Sequence, residues 1–169
     1  MKRTLYLAYG SNMNIDQMKG RCPGASLKST GFVHGYRLTF RGSGVANIEK
    51  TRGRKVPVVL WEITPECETA LDSYEGFPSL YVKRKVKVKT MGGDMVEAFV
   101  YVMAERYESQ PHPPWKQYLD VIWQGYLDNT MPLRFLREAI AENQRECDEA
   151  RPSRFDWRKA VFPNDRKGS

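Results

Sequence analysis

Strand patterns fill most of the first hundred or so residues of this 169-residue chain, and helix patterns are gathered mainly at its end. Alternating or continuous apolar residues bounded by turn signals predict the strands Thr4–Tyr9, Gly31–Phe40, Val56–Ile63, Tyr81–Thr90 and Met95–Met103. Runs of strands with few helices between them are typical of the α+β class. The sequence therefore predicts a single α+β domain built on a mixed, strongly curved or barrel-like β-sheet.

Four segments carry helix signals. The predicted helices are Asn14–Gly20, a central helix from Thr64-Pro65-Glu66 to Gly76, Trp115–Asp128, and one starting at Pro132. Thr64 is a good capping residue, and Pro65 suits the first helical position, where its missing N–H costs nothing. Trp115 and Leu119 are expected on the inward stripe of their helix. The charged segment Glu49–Lys55 is predicted to be a loop.

The composition changes near residue 146. From Glu146 onward the chain is polar and rich in Arg and Lys, with three scattered aromatic residues, Phe155, Trp157 and Phe162. We therefore divide the chain into a domain of residues 1–145 and a C-terminal tail of residues 146–169. The tail is expected to be extended.

The net charge of +7 raises the question of a nucleic-acid partner. Part of the excess lies in Lys83–Lys89, where lysines alternate with Val86 and Val88. Period-two alternation predicts a strand with a buried valine face and a solvated lysine face. This favours an ordinary strand over a nucleic-acid surface, which stays open as the weaker alternative.

Cysteine usage and hydropathy indicate the compartment. Cys22, Cys67 and Cys147 are widely spaced and accompanied by only two histidines, so neither a disulfide framework nor a metal site is expected. No apolar run approaches the roughly 18 residues of a membrane span. The start, Met1–Thr4, leads into a strand without a signal peptide's apolar stretch. We expect a reduced, cytoplasmic protein that does not enter membranes.

A small polar turn follows the first predicted strand. Tyr9-Gly10-Ser11-Asn12-Met13 comes directly after the apolar run Leu5–Ala8. Successive main-chain N–H groups in such a turn can point the same way and form a concave anion site, which a glycine leaves accessible. An ordinary strand-ending turn is the alternative, because Gly, Ser and Asn are common in turns. The spacing matches neither a Walker nor a dinucleotide-binding pattern.

A single carboxylate, Glu75, lies near the end of the predicted central helix, in Leu71-Asp72-Ser73-Tyr74-Glu75-Gly76-Phe77-Pro78. The C-terminal end of a helix disfavours negative charge. The neighbours Tyr74, Phe77, Pro78 and Tyr81 indicate apolar surroundings. Both effects raise the pKa of a carboxyl group, which suits a general acid or base near neutral pH. A solvated acid at a helix end is the alternative interpretation, and Asp72 is the alternative acid.

Two other residues, Tyr118 and His34, are weaker candidates for chemistry. Tyr118, one turn into a late helix, is a candidate pocket residue or an ordinary core residue. His34, within a predicted strand, is expected to be partly buried and hydrogen-bonded. A hydrolase triad using Ser11 and His34 lacks the nucleophile-elbow sequence that would support it.

Together these segments resemble the γ-glutamylcyclotransferase-like family. The resemblance rests on Tyr9–Met13 after the first strand, on Val58–Thr64 before the central helix, and on Leu71–Gly76 with its glutamate. It extends from about Thr4 to about Ala141, most of the chain. The family often has Pro-Ser before the tyrosine of the late helix, where this chain has Pro113-Pro114-Trp115, so the role of Tyr118 is left open.

The resemblance implies a mixed β-barrel with peripheral helices and a cofactor-free release of 5-oxoproline from a small γ-glutamyl substrate. In such a substrate the α-amino group attacks its own γ-carbonyl, and well-oriented intramolecular reactions reach effective molarities of about 10⁵ M or more. The residue roles that the resemblance implies are a general acid/base, Glu75, and substrate-binding Tyr9, Gly10, Ser11, Asn12 and Tyr118.

Two other functions remain open on the sequence alone. One is removal of a γ-glutamyl protecting group from a biosynthetic amine by the same glutamate. The other is a non-catalytic protein that binds a small acidic metabolite, although a pure anion binder gains nothing from a carboxylate such as Glu75. The leaving group and the oligomeric state are not determined.

Overall fold

The computed structural model describes residues 2–108 and 110–151. A closed barrel is formed by β1 (Thr4–Ala8), β2 (Ser26–Arg41), β3 (Val45–Ile63), β4 (Tyr81–Thr90) and β5 (Met95–Met103). A 3₁₀ turn (Ser11–Met13) and five helices complete the fold: α1 (Ile15–Arg21), α2 (Pro65–Glu75), α3 (Glu105–Glu108), α4 (Lys116–Asp128) and α5 (Leu133–Ala150). No helix among these described residues is both long enough and apolar enough to cross a membrane.

The strands follow one another around the barrel in the order β1-β3-β2-β4-β5. Every neighbouring pair is antiparallel except β1 and β5, which run parallel where Tyr6 lies beside Phe99. Closure pairs the outer strands β1 and β5 with each other, so that neither remains a free edge. The predicted α+β class and the mixed, barrel-like sheet are confirmed.

The strand β3 lies between β1 and β2 in the barrel. Its second half, from Val56 to Ile63, is buried almost continuously, as its apolar sequence predicts. Directly after it, Thr64 caps α2 by accepting a hydrogen bond from the N–H of Cys67 at 3.2 Å. At the other end of α2, Gly76 adopts a left-handed conformation with φ of 62°, which ends the helix.

The predicted loop Glu49–Lys55 is wrong, because these residues belong to β3. They pair with β2 across an irregularity in register between His34 and Tyr36. Two of the charges that suggested a loop are held in ion pairs: Arg54 lies 2.8 Å from Glu142 of α5, and Glu49 lies 2.9 Å from Arg41 of β2. The first of these pairs joins residues almost ninety positions apart, so no local pattern in the sequence indicates it.

Two predictions at the C-terminal helices also need correction. The helix α4 begins at Lys116, and Trp115 is 67% exposed instead of facing inward. The helix α5 continues to Ala150, past the start of the predicted tail, because Glu146 pairs with Arg37 and Arg41 of β2. The aromatic residues expected in the tail, Phe155, Trp157 and Phe162, lie outside the described residues. The division at residue 145 stays a prediction.

The lysine-rich strand β4 has the predicted two faces with one exception. Val86 and Val88 are buried, while Lys85 and Lys87 are exposed. Lys83 instead turns toward α2, where its Nζ lies 2.8 Å from the carboxylates of both Glu68 and Asp72. Lys83, which was predicted to be solvated, therefore links α2 to the barrel through ion pairs.

Candidate active site

A cavity of about 200 Å³ lies where the loop after β1 meets the end of α2. The side or main chains of all six residues predicted for the site line it: Glu75, Tyr9, Gly10, Ser11, Asn12 and Tyr118. These residues come from three parts of the chain, namely the loop after β1, the last turn of α2 and the first turn of α4. The barrel therefore brings together segments separated by about 110 positions.

The loop after β1 closes into a 3₁₀ turn. The N–H groups of Met13 and Asn14 donate to the carbonyls of Gly10 and Ser11, both at 3.1 Å. In a turn of this kind the N–H groups of Ser11 and Asn12 have no acceptor within the turn itself. The Asn12 side chain donates to the Tyr6 hydroxyl at 2.9 Å. These hydrogen bonds give the loop one defined shape.

The helix α4 packs directly on this loop through a glycine. A Cβ atom at Gly125 would lie only 2.8 Å from the main-chain nitrogen of Asn14, so any larger residue would push the helix away. Two hydrogen bonds hold the contact: Asn129 donates to the carbonyl of Met13 at 2.8 Å, and Asn14 donates to that of Val121 at 3.1 Å. The same helix carries Tyr118 to the cavity.

Tyr118 is anchored across the cavity to β3. Its hydroxyl accepts a hydrogen bond from the N–H of Ala46 at 3.0 Å. A Cβ atom at Gly10 would lie 3.2 Å from the Ala46 Cβ and 3.6 Å from this hydroxyl. Gly10 therefore fits closely between the two. The sequence suggested the glycine as an opening for a ligand, and the structure adds this packing reason.

Glu75 is the last residue of α2 and is partly buried beside the cavity. Burial raises the pKa of its carboxyl to about 7, although the positive charge of Arg21 opposes the rise. Among the described residues, no Lys, Arg or His nitrogen lies within 4.0 Å of this carboxylate. A carboxyl group in this condition is present in both protonation states near neutral pH.

The surroundings of Glu75 differ in part from those expected. Tyr74 and Tyr81 line the cavity as predicted, but Phe77 and Pro78 do not. Phe77 is 37% exposed, and its ring lies 4.4 Å from the Lys83 Nζ. The left-handed residue between Glu75 and Phe77 turns the chain away, so neighbours in sequence are not neighbours in space.

The alternative acid Asp72 does not line the cavity. It lies 2.8 Å from the Lys83 Nζ, and the hydroxyl of Tyr101 donates to it at 2.5 Å. Hydrogen bonds to Asp72 and Glu68 outweigh the effect of burial and raise the pKa of Lys83, which remains a cation. Asp72 therefore attaches α2 to β4 and β5 and is engaged away from the cavity.

Two cavity tyrosines and one arginine are absent from the residues that the sequence indicated. Tyr6 and Tyr101 line the wall beside Tyr81, whose hydroxyl donates to the Ala46 carbonyl at 2.7 Å. Alternation in β1 and β5 could have indicated an inward tyrosine in each strand, but not the shared cavity. Arg21 ends α1 and donates to Ser11 and Asn12. Its only local signal is its place in the last turn of a helix.

His34 lies away from the cavity. It is exposed on β2, contrary to the expectation of a partly buried histidine, and does not meet Ser11. Among residues 2–108 and 110–151, no group of three His, Cys, Asp or Glu side chains could hold a metal ion.

Comparison with known proteins decides the family. Residues 6–120 match the family model described as "Gamma-glutamyl cyclotransferase, AIG2-like". The chain belongs to this family. The match includes the loop after β1, the end of α2 and the first turn of α4, which together line the cavity. The family predicted from the sequence is confirmed.

Curated relatives of the family agree. The γ-glutamylcyclotransferase of Homo sapiens is 32% identical over 142 residues, covering 78% of this chain and 74% of the relative. That of Bos taurus is 32% identical over 145 residues, covering 79% and 76%. A solved γ-glutamyl cyclotransferase structure superimposes with a TM-score of 0.74 at 27% identity, over 88% of this chain and 100% of that one. The prediction of an enzyme of this family is confirmed.

Proposed function

We propose that this protein is a γ-glutamylcyclotransferase that releases 5-oxoproline and a free amine from a small γ-glutamyl compound, with Glu75 as general acid and base. The observation that carries the proposal is the partly buried Glu75 carboxyl beside a cavity of about 200 Å³, with a pKa raised to about 7. The family and its curated relatives support the reaction class.

The reaction moves two protons from the attacking nitrogen to the leaving nitrogen. A γ-glutamyl α-amino group is protonated at neutral pH, and the ionised Glu75 carboxylate removes the first proton. The amine nitrogen then forms a bond to the γ-carbonyl carbon of the same molecule. Glu75 gives its proton to the leaving nitrogen, and the bond from that carbon to the leaving nitrogen breaks. The new ring nitrogen gives up its second proton to Glu75, which passes it to the released amine, so that the amine departs as an ammonium ion. Water is not consumed, and a carboxyl with a pKa near the working pH can perform both transfers.

The loop after β1 supplies the binding groups. The N–H groups of Ser11 and Asn12 can hold the substrate's α-carboxylate or the oxyanion that develops on the γ-carbonyl. The hydroxyls of Tyr9 and Tyr118 are already used in hydrogen bonds to the main chain, at 2.7 Å and 3.0 Å. These tyrosines therefore shape the cavity and orient the substrate, and we give them no part in the proton transfer.

The wall of the cavity favours a folded substrate. Ring closure requires the amino group and the γ-carbonyl of one molecule to approach each other, which an extended γ-glutamyl chain does not allow. A small space bounded by rigid aromatic side chains selects the compact conformer and so provides much of the rate enhancement. Tyr74, which is 50% exposed, stands at the rim, where the leaving group would pass.

The test is a panel of γ-glutamyl amines, γ-glutamyl dipeptides and glutathione, incubated with the purified protein and with Glu75→Gln. Mass spectrometry should detect 5-oxoproline and the matching amine in equal amounts, formed only by the unsubstituted protein. Release of free glutamate would indicate hydrolytic deprotection instead. Tight binding of the panel without any product would indicate a non-catalytic binding protein, and either result would overturn the proposal.

A further inference from the structure

Arg21 contacts both sides of the cavity without lining it. It ends α1, and its Nη1 donates to Ser11 Oγ at 3.1 Å and to Asn12 Oδ1 at 2.6 Å. Its guanidinium carbon lies 3.4 Å from the centre of the Tyr74 ring. Tyr74 precedes Glu75 on α2. One side chain thus joins the proposed binding loop to the helix turn that carries the proposed acid/base.

The remaining nitrogens of Arg21 are also held. With the side-chain amide of Gln17 turned so that its oxygen faces Arg21, that oxygen accepts from both Nε and Nη2 at 3.0 Å. No carboxylate among the described residues lies within 4.0 Å of the guanidinium. All of these partners are neutral groups, so the positive charge of Arg21 is not cancelled by an ion pair.

We propose that Arg21 is a positioning residue that fixes the binding loop against α2 and keeps the Glu75 carboxylate available as a base. The inference rests on the proposed function in one respect, the use of Glu75 as proton carrier. Arg21 does not line the cavity, and its contacts there are with Ser11, Asn12 and Tyr74, so its role is to position these residues and to act on Glu75 through its charge.

The other groups around Glu75 cannot take over this electrostatic role. The phenols of Tyr6, Tyr9, Tyr81 and Tyr118, which come from β1, the following loop, β4 and α4, line the same cavity as Glu75. Burial raises the pKa of each of these phenols, so they are neutral near pH 7. Tyr74 and Tyr101 complete the aromatic wall. Arg21 supplies the opposite charge that favours the ionised carboxylate.

The decisive measurement is the titration of Glu75 itself, followed by NMR of protein labelled with ¹³C at the glutamate carboxyls and assigned with Glu75→Gln. The variants are Arg21→Met, Arg21→Lys and a control, Lys19→Met, which removes an exposed cation from the same last turn of α1. Arg21→Met should raise the midpoint by at least about half a pH unit, as expected for loss of a nearby opposite charge. Lys19→Met should leave the Glu75 midpoint within about 0.2 pH unit of its original value, because solvent and salt screen the charge of an exposed lysine.

Arg21→Lys separates charge from geometry. Lysine keeps the charge but cannot engage Gln17, Ser11 and Asn12 with one ammonium group as the planar guanidinium does. The Glu75 midpoint should therefore stay close to that of the unsubstituted protein, while KM rises about threefold or more because the loop is less well held. If Arg21→Met does not fold, this variant alone tests the loop-holding role, since an unchanged KM would overturn it.

Activity profiles give a second readout. In Arg21→Met the acid limb of the pH profile of kcat/KM should move upward with the NMR midpoint, a change that a merely structural loss would not produce. An unmoved midpoint in a folded Arg21→Met protein overturns the electrostatic role. A lack of turnover on every substrate counts against the proposed function alone, because the Glu75 titration is measured without substrate.

Discussion

Asp72 and Glu75 lie three residues apart on α2, yet they occupy opposite kinds of environment. Asp72 is held by the Lys83 ammonium at 2.8 Å and by the hydroxyl of Tyr101. Glu75 faces the cavity with no cation within 4.0 Å among the described residues, and burial raises its pKa to about 7. The first carboxylate is fully engaged in attaching the helix, and the second is free to exchange a proton.

The difference teaches that a helix can present two chemically identical groups for two purposes. Residues three apart lie on neighbouring parts of a helix surface. One part of α2 meets β4 and β5, and the other faces the cavity. The ion pair between Asp72 and Lys83 also holds α2 in place. Asp72 therefore helps to position Glu75.

The largest effect on activity is expected from replacing the Glu75 carboxyl with a neutral amide. Glu75→Gln keeps the shape of the side chain but cannot accept the substrate's proton, so kcat should fall by about 10³-fold or more. Steady-state formation of 5-oxoproline measures this. Glu66→Gln, the same change at an exposed position in the first turn of α2, is the control. A Glu75→Gln protein within about tenfold of normal activity would contradict the role of Glu75, since a general base contributes more than that.

Removing the charge of Asp72 should affect the stability of the fold more than the catalytic rate. Asp72→Asn leaves Lys83 with Glu68 alone and weakens the bond from Tyr101, which should lower the free energy of unfolding by about 1–3 kcal/mol. We expect kcat to stay within about threefold, because the group that is lost does not touch the reacting atoms. Thermal unfolding and steady-state kinetics measure the two effects. Asp120→Asn, in an exposed pair with Lys116, is the matched control. Complete loss of activity at full stability would make Asp72 the acid.

The free energy of unfolding should also depend on pH through Glu75. The folded-state pKa of Glu75 lies above its ordinary value of 4.5, so the folded protein holds this proton more tightly than the unfolded chain does. The stability that Glu75 contributes is therefore complete below about pH 4.5 and is lost as the pH rises through about 7. Glu75→Gln removes this loss. Its Tm advantage over the unsubstituted protein should widen between pH 5 and pH 8, and a constant difference would argue against the raised pKa.

The smallest effect is expected at Tyr101, which lines the cavity and also bonds to Asp72. Tyr101→Phe removes one hydroxyl and keeps the ring contacts with Tyr6 and Phe99. It should cost about 0.5–1.5 kcal/mol of stability and change KM by less than about threefold. A double-mutant cycle with Asp72→Asn measures their coupling. Strictly additive effects would mean that the hydrogen bond contributes nothing to stability.

Local signals predicted much of the fold correctly. The strands β4 and β5 begin and end where the alternation and the turn near Gly93 place them. The start of α2 follows from Thr64 and Pro65, and its end from Gly76. In each case the residues that decide the structure lie within a few positions of one another. The same holds for the loop after β1, which the sequence located but whose partners it did not show.

Contacts between distant residues account for what local patterns missed. Residues 49–55 continue β3, where they pair with β2 and where Arg54 meets the Glu142 carboxylate on α5. Lys83 turns from solvent toward α2 because it forms ion pairs there with Glu68 and Asp72. The role inferred for Arg21 depends on Tyr74, more than fifty positions later. Ion pairs and stacking across such separations leave no periodic trace in the sequence.

The amino-acid order alone determined the kind of sheet and a short set of candidate residues, because turn, cap and alternation signals act over a few neighbouring positions. Only the folded structure showed that Asp72 and Glu75 have different environments. The protonation of a carboxyl depends on which charges and which water molecules it meets. For these two side chains that environment is assembled from α1, four of the five strands and α4, elements that come together only when the barrel closes.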